Sequence, residues 1–132
     1  MKPLSLTRWR GAEEQVCRIL EGQGWEAEDV SRQNIGYDIE GKSPEGETFF
    51  VEVKLVGSSD KPFTLTSNEE AVARQNGAKY IIAIVCQSRE FLEVAFIRDP
   101  VQQLNMIRQC RQWVWECSDY PYDPLRFELS PQ

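Results

Sequence analysis

The sequence predicts an α/β (α+β) fold in which helices flank a mixed β-sheet, in the order αβββαβ with C-terminal additions. Thr48 to Val56 alternates in polarity, which is typical of a strand with two different faces. The stretch from Lys79 to Cys86 contains a continuous apolar run, which suits a central strand covered on both sides. A helix predicted between them supplies the crossover that a parallel pair needs. For 132 residues we expect one domain, over residues 1–132.

The first third of the chain predicts a helix followed by a strand. Apolar residues at helical spacing predict a helix from Thr7 to about Glu21, stopped by Gly22 and Gly24. The stripe consists of Ala12, Val16, Ile19 and Leu20. We expect a strand over Trp25 to Val30 and then a turn over residues 33–36.

A hairpin is predicted next. Tyr37 to Glu40 is expected to form a short strand ended by Gly41, and residues 42–47 a turn that leads into the strand from Thr48. Because side chains alternate along a strand, the two faces of Thr48 to Val56 differ. One carries Phe49, Val51, Val53 and Leu55, and the other carries Phe50, Glu52, Lys54 and Val56.

The second half predicts two more helices and several strands. Thr66 to Glu69 fits a capping box, so a helix should begin there and end at Gly77. Asp99 and Pro100 suit the N-cap and first position of another helix, with Val101, Leu104 and Ile107 on its inner face. Strands are predicted over residues 63–65, 79–86 and 91–97, over the aromatic segment 112–117, and over residues 125–129.

Composition excludes several kinds of chemistry. The chain has no histidine, so Ser-His-Asp and Cys-His catalysis and histidine-ligated metals are excluded. None of the four cysteines forms a C-x-x-C pair, which argues against structural zinc. No apolar run reaches the ~20 residues of a membrane span, and the first residues lack a signal-peptide pattern, so we expect a reduced, cytoplasmic protein without membrane contact. The net charge of −6 argues against a free-standing nucleic-acid binder, although a local basic patch can act within an acidic whole.

Asp38, Glu52 and Lys54 are the candidate catalytic residues. Glu52 and Lys54 share one face of their strand, and pairing of the hairpin strands can bring Asp38 beside Glu52. Two carboxylates offer the hard oxygen ligands that suit Mg²⁺ or Mn²⁺. A neighbouring lysine can hold an attacking water or stabilise the charge of a phosphorane.

Five segments together carry a resemblance to a known family. They are Gly24-Trp25, Gly36-Tyr37-Asp38-Ile39-Glu40, Phe50-Val51-Glu52-Val53-Lys54, Leu65-Thr66-Ser67-Asn68-Glu69 and Ile97-Arg98-Asp99-Pro100. Over roughly residues 10 to 100 the chain resembles the protein NO VEIN C-terminal domain family, which itself resembles the PD-(D/E)XK superfamily of restriction-type endonucleases and Holliday-junction resolvases.

The resemblance implies a restriction-endonuclease-like fold that hydrolyses phosphodiester bonds with Mg²⁺ or Mn²⁺. Asp38 and Glu52 would be metal ligands and Lys54 the catalytic lysine. Glu13 would correspond to a glutamate of the first helix that points into the site and binds metal, with Glu14 as the alternative. The family often has Gly directly after the lysine, where this chain has Leu55.

Structural explanations compete with these roles. Glu52 and Lys54 could lie on a solvated face as a cross-strand ion pair, Asp38 could cap the turn before it, and Glu13 could face solvent. Glu69 is interpreted first as a helix cap. The tail aromatics suit core or dimer contacts better than base stacking; they are Trp113, Trp115, Tyr120 and Tyr122.

The sequence therefore predicts a metal-dependent endonuclease acting on DNA, in defence or repair. One alternative is a catalytically silent module of the same fold that docks nucleic acid or a partner protein. A third hypothesis is a small subunit whose partner supplies the DNA-binding surface, and a homodimer is also compatible with a double-strand cutter.

Overall fold

The computed structural model describes residues 11–58, 60–88, 90–110 and 115–128. The helices are α1 (Ala12–Gly22), α2 (Ser67–Asn76) and the single turn α3 (Pro100–Gln103). The strands are β1 (Glu26–Asp29), β2 (Ile39–Lys42), β3 (Thr48–Val56), β4 (Tyr80–Gln87) and β5 (Leu92–Arg98). Short 3₁₀ turns occupy Ser31–Gln33 and Gly77–Lys79. The predicted mixed sheet with flanking helices is confirmed.

The five strands form one sheet in the order β1-β2-β3-β4-β5. All neighbours are antiparallel except β3 and β4, which run parallel because α2 connects them as a crossover. Ile39 lies opposite Val51, and Glu52 lies opposite Ile82 of β4. The middle of β3 is therefore held by a strand on each side.

Two apolar clusters cover the two faces of the sheet. The first joins α1 to one face and contains Val16, Cys17, Leu20, Ile39, Phe49, Val51, Val53, Ile81, Ala83 and Val85. The second joins α2 to the other face and contains Ala73, Tyr80 and Ile82, with Phe50 and Ile97 packed against them. Glu52 and Lys54 belong to the α2 side of the sheet, since they alternate with Val51 and Val53 along β3.

The predicted bounds of β3 and α2 are confirmed, whereas those of β2 are wrong. Gly41 lies inside β2 instead of ending it. A Cβ at Gly41 would lie 3.2 Å from Trp25 Cε3, so the missing side chain makes room for the Trp25 ring. Glycine is thus needed at this position for close packing inside a strand. From the sequence alone, such a glycine cannot be distinguished from one that ends a strand at a turn.

The structure also corrects three expectations nearer the C-terminus. Residues 63–65 form no strand, and Phe63 and Leu65 pack instead against the α2-side cluster. Helix α3 begins as predicted, with Asp99 at the N-cap position and Pro100 in the first turn, but Asp99 makes no side-chain cap and the helix ends at Gln103 after a single turn. Ile107, predicted on that helix, is 70% exposed.

The tail has no regular structure within its described part. Residues 115–117 and 125–128 form no strand, contrary to prediction, and the remainder of those two predicted strands lies outside the described residues. Trp115, Tyr120 and Tyr122 are exposed, so they belong to no core here, and Trp113 lies outside the described residues. The predicted helix start from Thr7 to Arg10 also lies outside the described residues. No helix in the described ranges has the length and apolar character needed to cross a membrane.

Candidate functional site

Asp38 lies directly before β2 and is attached to β3 by both its main chain and its side chain. Its backbone N–H donates to the Val51 carbonyl at 2.8 Å, and its Oδ2 accepts from the Val53 N–H at 2.8 Å. These two contacts flank Glu52, so the expected proximity of Asp38 and Glu52 is found. The carboxylate bonds a backbone group 15 residues away, which excludes the interpretation of Asp38 as a local turn cap.

Glu52 is the charged residue that the fold buries most deeply within the described residues. It is 2% exposed, and its Oε2 has no hydrogen-bond partner in the part of the chain that the structure describes. Burial, together with hydrogen bonds to Asp38 and Glu69 and the charges of both, raises the pKa of Glu52 to about 10. At neutral pH the Glu52 carboxyl therefore keeps its proton. A solvated strand face, the competing explanation for Glu52, is excluded.

Lys54 forms an ion pair with α2 and not with Glu52. Its Nζ lies 2.8 Å from Glu69 Oε1, and both side chains are 18% exposed. Burial by itself would raise the pKa of Glu69, but hydrogen bonds with Glu52, Lys54 and the Thr66 backbone outweigh it, and the pKa is lowered. Glu69 therefore stays ionised as the counter-ion of Lys54.

Glu69 is a member of the site, although the sequence favoured helix capping over substrate contact for this residue. The capping box is present, because Thr66 Oγ1 accepts from the Glu69 N–H and Glu69 Oε1 accepts from the Thr66 N–H. The same oxygen accepts from Lys54. One signal in the sequence could have indicated this role. Helix α2 is the next element after β3, so its first turn can pack over the face of β3 that carries Lys54.

Tyr80 anchors the turn that precedes Asp38, a role hidden in the sequence by the apolar run around it. The buried Tyr80 hydroxyl donates to the Gly36 carbonyl at 2.8 Å. Burial, followed by the charges of Glu52, Glu69 and Asp38, raises the pKa of Tyr80, so the hydroxyl stays a donor. Gly36 has a φ of 94°, and a Cβ there would lie 2.6 Å from Val72 Cγ2. The turn is thereby held against α2, two residues before Asp38.

The first helix does not bring its predicted glutamates to this cluster. Helix α1 packs on the face of β3 opposite Glu52, and no hydrogen bond or ion pair within the described ranges joins Glu13 to Asp38 or Glu52. Glu14 pairs with Arg18 at 3.8 Å on the helix surface. The polar side chain that α1 does bury is Gln15, which is 1% exposed. Metal binding by Glu13 stays a prediction.

The donor set fits a divalent cation that keeps part of its water shell. Glu52 Oε2 is a buried oxygen without a hydrogen-bond partner from the described ranges, and Asp38 is its neighbour. Across residues 11–58, 60–88, 90–110 and 115–128 no three His, Cys, Asp or Glu side chains form a group that could hold a metal ion. Mg²⁺ is commonly bound by one or two carboxylates, with waters and substrate phosphate completing an octahedron. Asp38 and Glu52 fit this kind of coordination, in which water and substrate supply the other ligands. They do not fit a site whose ligands are all protein side chains.

The fold and cluster define a class: an α/β protein with a five-stranded mixed sheet that carries, on its α2 side, the buried carboxyl of Glu52 beside the half-buried side chains of Asp38 and Lys54. The chain belongs to the family described as protein NO VEIN, C-terminal, whose model matches residues 10–97. The match includes Asp38, Glu52, Lys54 and Glu69, and it ends before the exposed tail. No curated protein and no solved structure matches the chain.

Proposed function

We propose that this chain is a metal-dependent endonuclease that hydrolyses phosphodiester bonds of DNA with Mg²⁺ or Mn²⁺. The observation that carries the proposal is the buried carboxyl of Glu52, whose Oε2 has no hydrogen-bond partner among the described residues, beside Asp38 and on the same strand face as Lys54. A buried carboxyl oxygen without a hydrogen-bond partner destabilises a fold. Its presence favours a role in binding.

The three residues divide two tasks between them in this proposal. Asp38 and Glu52 would hold the cation, with Asp38 oriented by the Val53 N–H. The bound ion would polarise the phosphoryl group and lower the pKa of a coordinated water. The Lys54 ammonium, two residues along β3, would stabilise the negative charge that develops on the phosphoryl oxygens. The partial burial of Lys54 strengthens that interaction, because less water screens it.

Plasmid cleavage tests the proposal. Supercoiled DNA is incubated with the wild type and Mn²⁺ or Mg²⁺, with a chelator as the metal-free reference. We expect metal-dependent nicking that Asp38→Asn abolishes. The asparagine keeps an oxygen for the Val53 N–H but removes the charge, so the fold should persist. Glu26→Gln, an equivalent change on the exposed strand β1, should cleave like the wild type. Wild-type protein that binds no metal and cuts no DNA would refute the proposal.

A second candidate function is a module that docks nucleic acid or a protein without cutting. The pairing of Lys54 with Glu69 inside the protein favours it, and the net charge of −6 favours a protein over nucleic acid as the docked partner. Binding of a labelled duplex, measured by anisotropy over a range of salt concentrations, distinguishes the two. Salt-sensitive binding without cleavage would support docking, since phosphate contacts release counterions.

A further inference from the structure

Glu69 joins the start of α2 to the site through a single oxygen. Glu69 Oε1 accepts from the Thr66 N–H at 2.9 Å and from Lys54 Nζ at 2.8 Å. The Glu69 N–H in turn donates to Thr66 Oγ1 at 3.1 Å. Both the backbone N–H and the side-chain carboxylate of Glu69 are thus hydrogen-bonded to Thr66. The capping box therefore fixes the position of Glu69 Oε1 independently of the contact with Lys54.

Lys54 needs such a fixed partner more than an arginine would. Its ammonium is a compact charge on a flexible four-carbon stem, and it has no planar group that would orient it. An unpaired lysine here would extend toward water, because its side chain lies at the boundary of the buried region. The contact with Glu69 holds Nζ on the α2 side of β3, where the Glu52 carboxyl also lies.

A comparison of Glu69 with its neighbour Glu70 shows that the ion pair between Glu69 and Lys54 is not part of helix capping. Glu70 also lies in the first turn of α2, but it pairs with Arg74 one turn later on the helix surface. A capping box needs only an acceptor at the third helical position, which glutamine supplies as well as glutamate. The half-buried ion pair of Glu69 with a lysine from another element is not required for capping.

We propose that Glu69 is a positioning residue, which orients the Lys54 ammonium for the reaction and is itself oriented by the capping box of α2. This inference rests on the proposed nuclease function. It assigns to one side chain two separable tasks: stabilisation of the helix start, which any acceptor can perform, and retention of Lys54, which needs the negative charge. Glu69→Gln removes the second task and keeps the first.

Lysine labelling tests the retention of Lys54 without relying on activity. Each variant is pulse-acetylated with acetic anhydride in the native state, and the modified lysines are quantified by mass spectrometry. We expect Glu69→Gln to increase acetylation of Lys54 several-fold while that of the exposed Lys42 stays constant. Its melting temperature should stay close to that of the wild type, because glutamine keeps the capping box.

Two control variants separate charge from capping. Thr66→Ala removes the side-chain cap but leaves the Thr66 N–H and the Glu69 carboxylate, so it should lower the melting temperature by roughly 4 °C without increasing Lys54 labelling. Glu70→Gln removes a charge from the same helical turn and should change neither Lys54 labelling nor cleavage. Unchanged Lys54 labelling in Glu69→Gln would overturn the inference.

Steady-state cleavage links retention of Lys54 to the reaction. For Glu69→Gln we expect kcat to fall by about 10- to 100-fold with KM for DNA unchanged, which is the pattern of an interaction made in the transition state. Increased labelling with undiminished kcat would overturn the positioning role. A wild type that does not cleave would refute the nuclease itself, whereas the labelling result would still show whether Glu69 holds Lys54.

Discussion

The two faces of β3 differ in what each of them stabilises. Toward α1 the strand presents Phe49, Val51 and Val53, which are at most 9% exposed and lie in one apolar cluster. Toward α2 it presents Glu52 and Lys54, a buried carboxyl and a half-buried ammonium. One strand thus contributes a core on one face and a polar cluster on the other.

Within the nine residues of β3, one face therefore contributes to stability and the other carries the candidate functional residues. Apolar burial toward α1 supplies stability in proportion to the area removed from water. Burial of Glu52 acts in the opposite direction, because a carboxyl without full hydrogen bonding is destabilising. We therefore expect changes on the α1 side to alter stability and changes on the α2 side to alter binding and cleavage.

The largest loss of stability is expected on the α1 side. Leu20 is 3% exposed and packs in the cluster with β3. Leu20→Ala should lower the free energy of unfolding by about 2–5 kcal/mol, through lost transfer energy and the cavity left behind. Urea denaturation measures this. Leu55→Ala, the same change at a site 65% exposed, should shift stability by less than about 0.5 kcal/mol. Equal losses in both variants would contradict the account of this face.

The largest loss of activity is expected on the α2 side. Lys54→Met keeps the length and apolar stem of the side chain but removes its charge. It should reduce kcat for DNA cleavage by about 10²–10³-fold, the usual effect of losing one group that stabilises transition-state charge. Its far-ultraviolet circular dichroism should match that of the wild type. Lys42→Met, at an exposed lysine of β2, is the matched control and should leave kcat unchanged.

The buried carboxyl should make the metal-free protein less stable as the pH rises. The ordinary pKa of Glu52 is 4.5, and in the folded chain it is raised to about 10. Between these values the unfolded state binds fewer protons than the folded state, so stability falls with increasing pH, by at most about 1.4 kcal/mol per pH unit. Glu52→Gln should remove this contribution and make the chain more stable above pH 5 or so.

Denaturation at several pH values measures this effect. Chelator-treated wild type and Glu52→Gln should diverge steadily from about pH 6 to 9, while Glu26→Gln follows the wild type. Parallel profiles for wild type and Glu52→Gln would mean that Glu52 is ionised in the metal-free fold, which would contradict the burial argument.

The smallest effect is expected at the rim of the α1 side. Lys79 Nζ lies 4.8 Å from the centre of the Phe49 ring and 3.1 Å from Glu47 Oε2. Both partners of the ion pair are exposed, so Lys79→Met should lower stability by only about 0.5–1 kcal/mol. The loss should shrink in high salt if the ion pair contributes. A loss as large as that of Leu20→Ala would show that charge matters on this face too.

The sequence predicted best where local pattern and tertiary structure agree. The alternation of Thr48 to Val56 predicts both faces of β3, and the capping box predicts the start of α2. The position of Asp38 beside Glu52 follows from a hairpin register that the predicted turn implies. In these cases the local sequence pattern and the tertiary packing favour the same structure.

Prediction failed where contacts distant in sequence decide. The pairing of Lys54 with Glu69 depends on how α2 crosses the sheet, and the Tyr80–Gly36 bond joins residues 44 positions apart. Gly41 was interpreted as a stop because its contact with Trp25 is not a local property. The placement of Glu13 could not be predicted either, since helical spacing does not specify which end of the sheet a first turn approaches.

Metal binding tests the central claim most directly. Mn²⁺ is titrated into the wild type and Asp38→Asn by calorimetry at pH 7, in two buffers that differ in ionisation enthalpy. If Asp38 and Glu52 form the site, the wild type binds Mn²⁺ with release of about one proton, because the cation displaces the proton held by Glu52. Asp38→Asn should then bind far more weakly. Absence of binding by the wild type, or binding that Asp38→Asn leaves intact with no proton released, would contradict the claim that these carboxylates are a metal site.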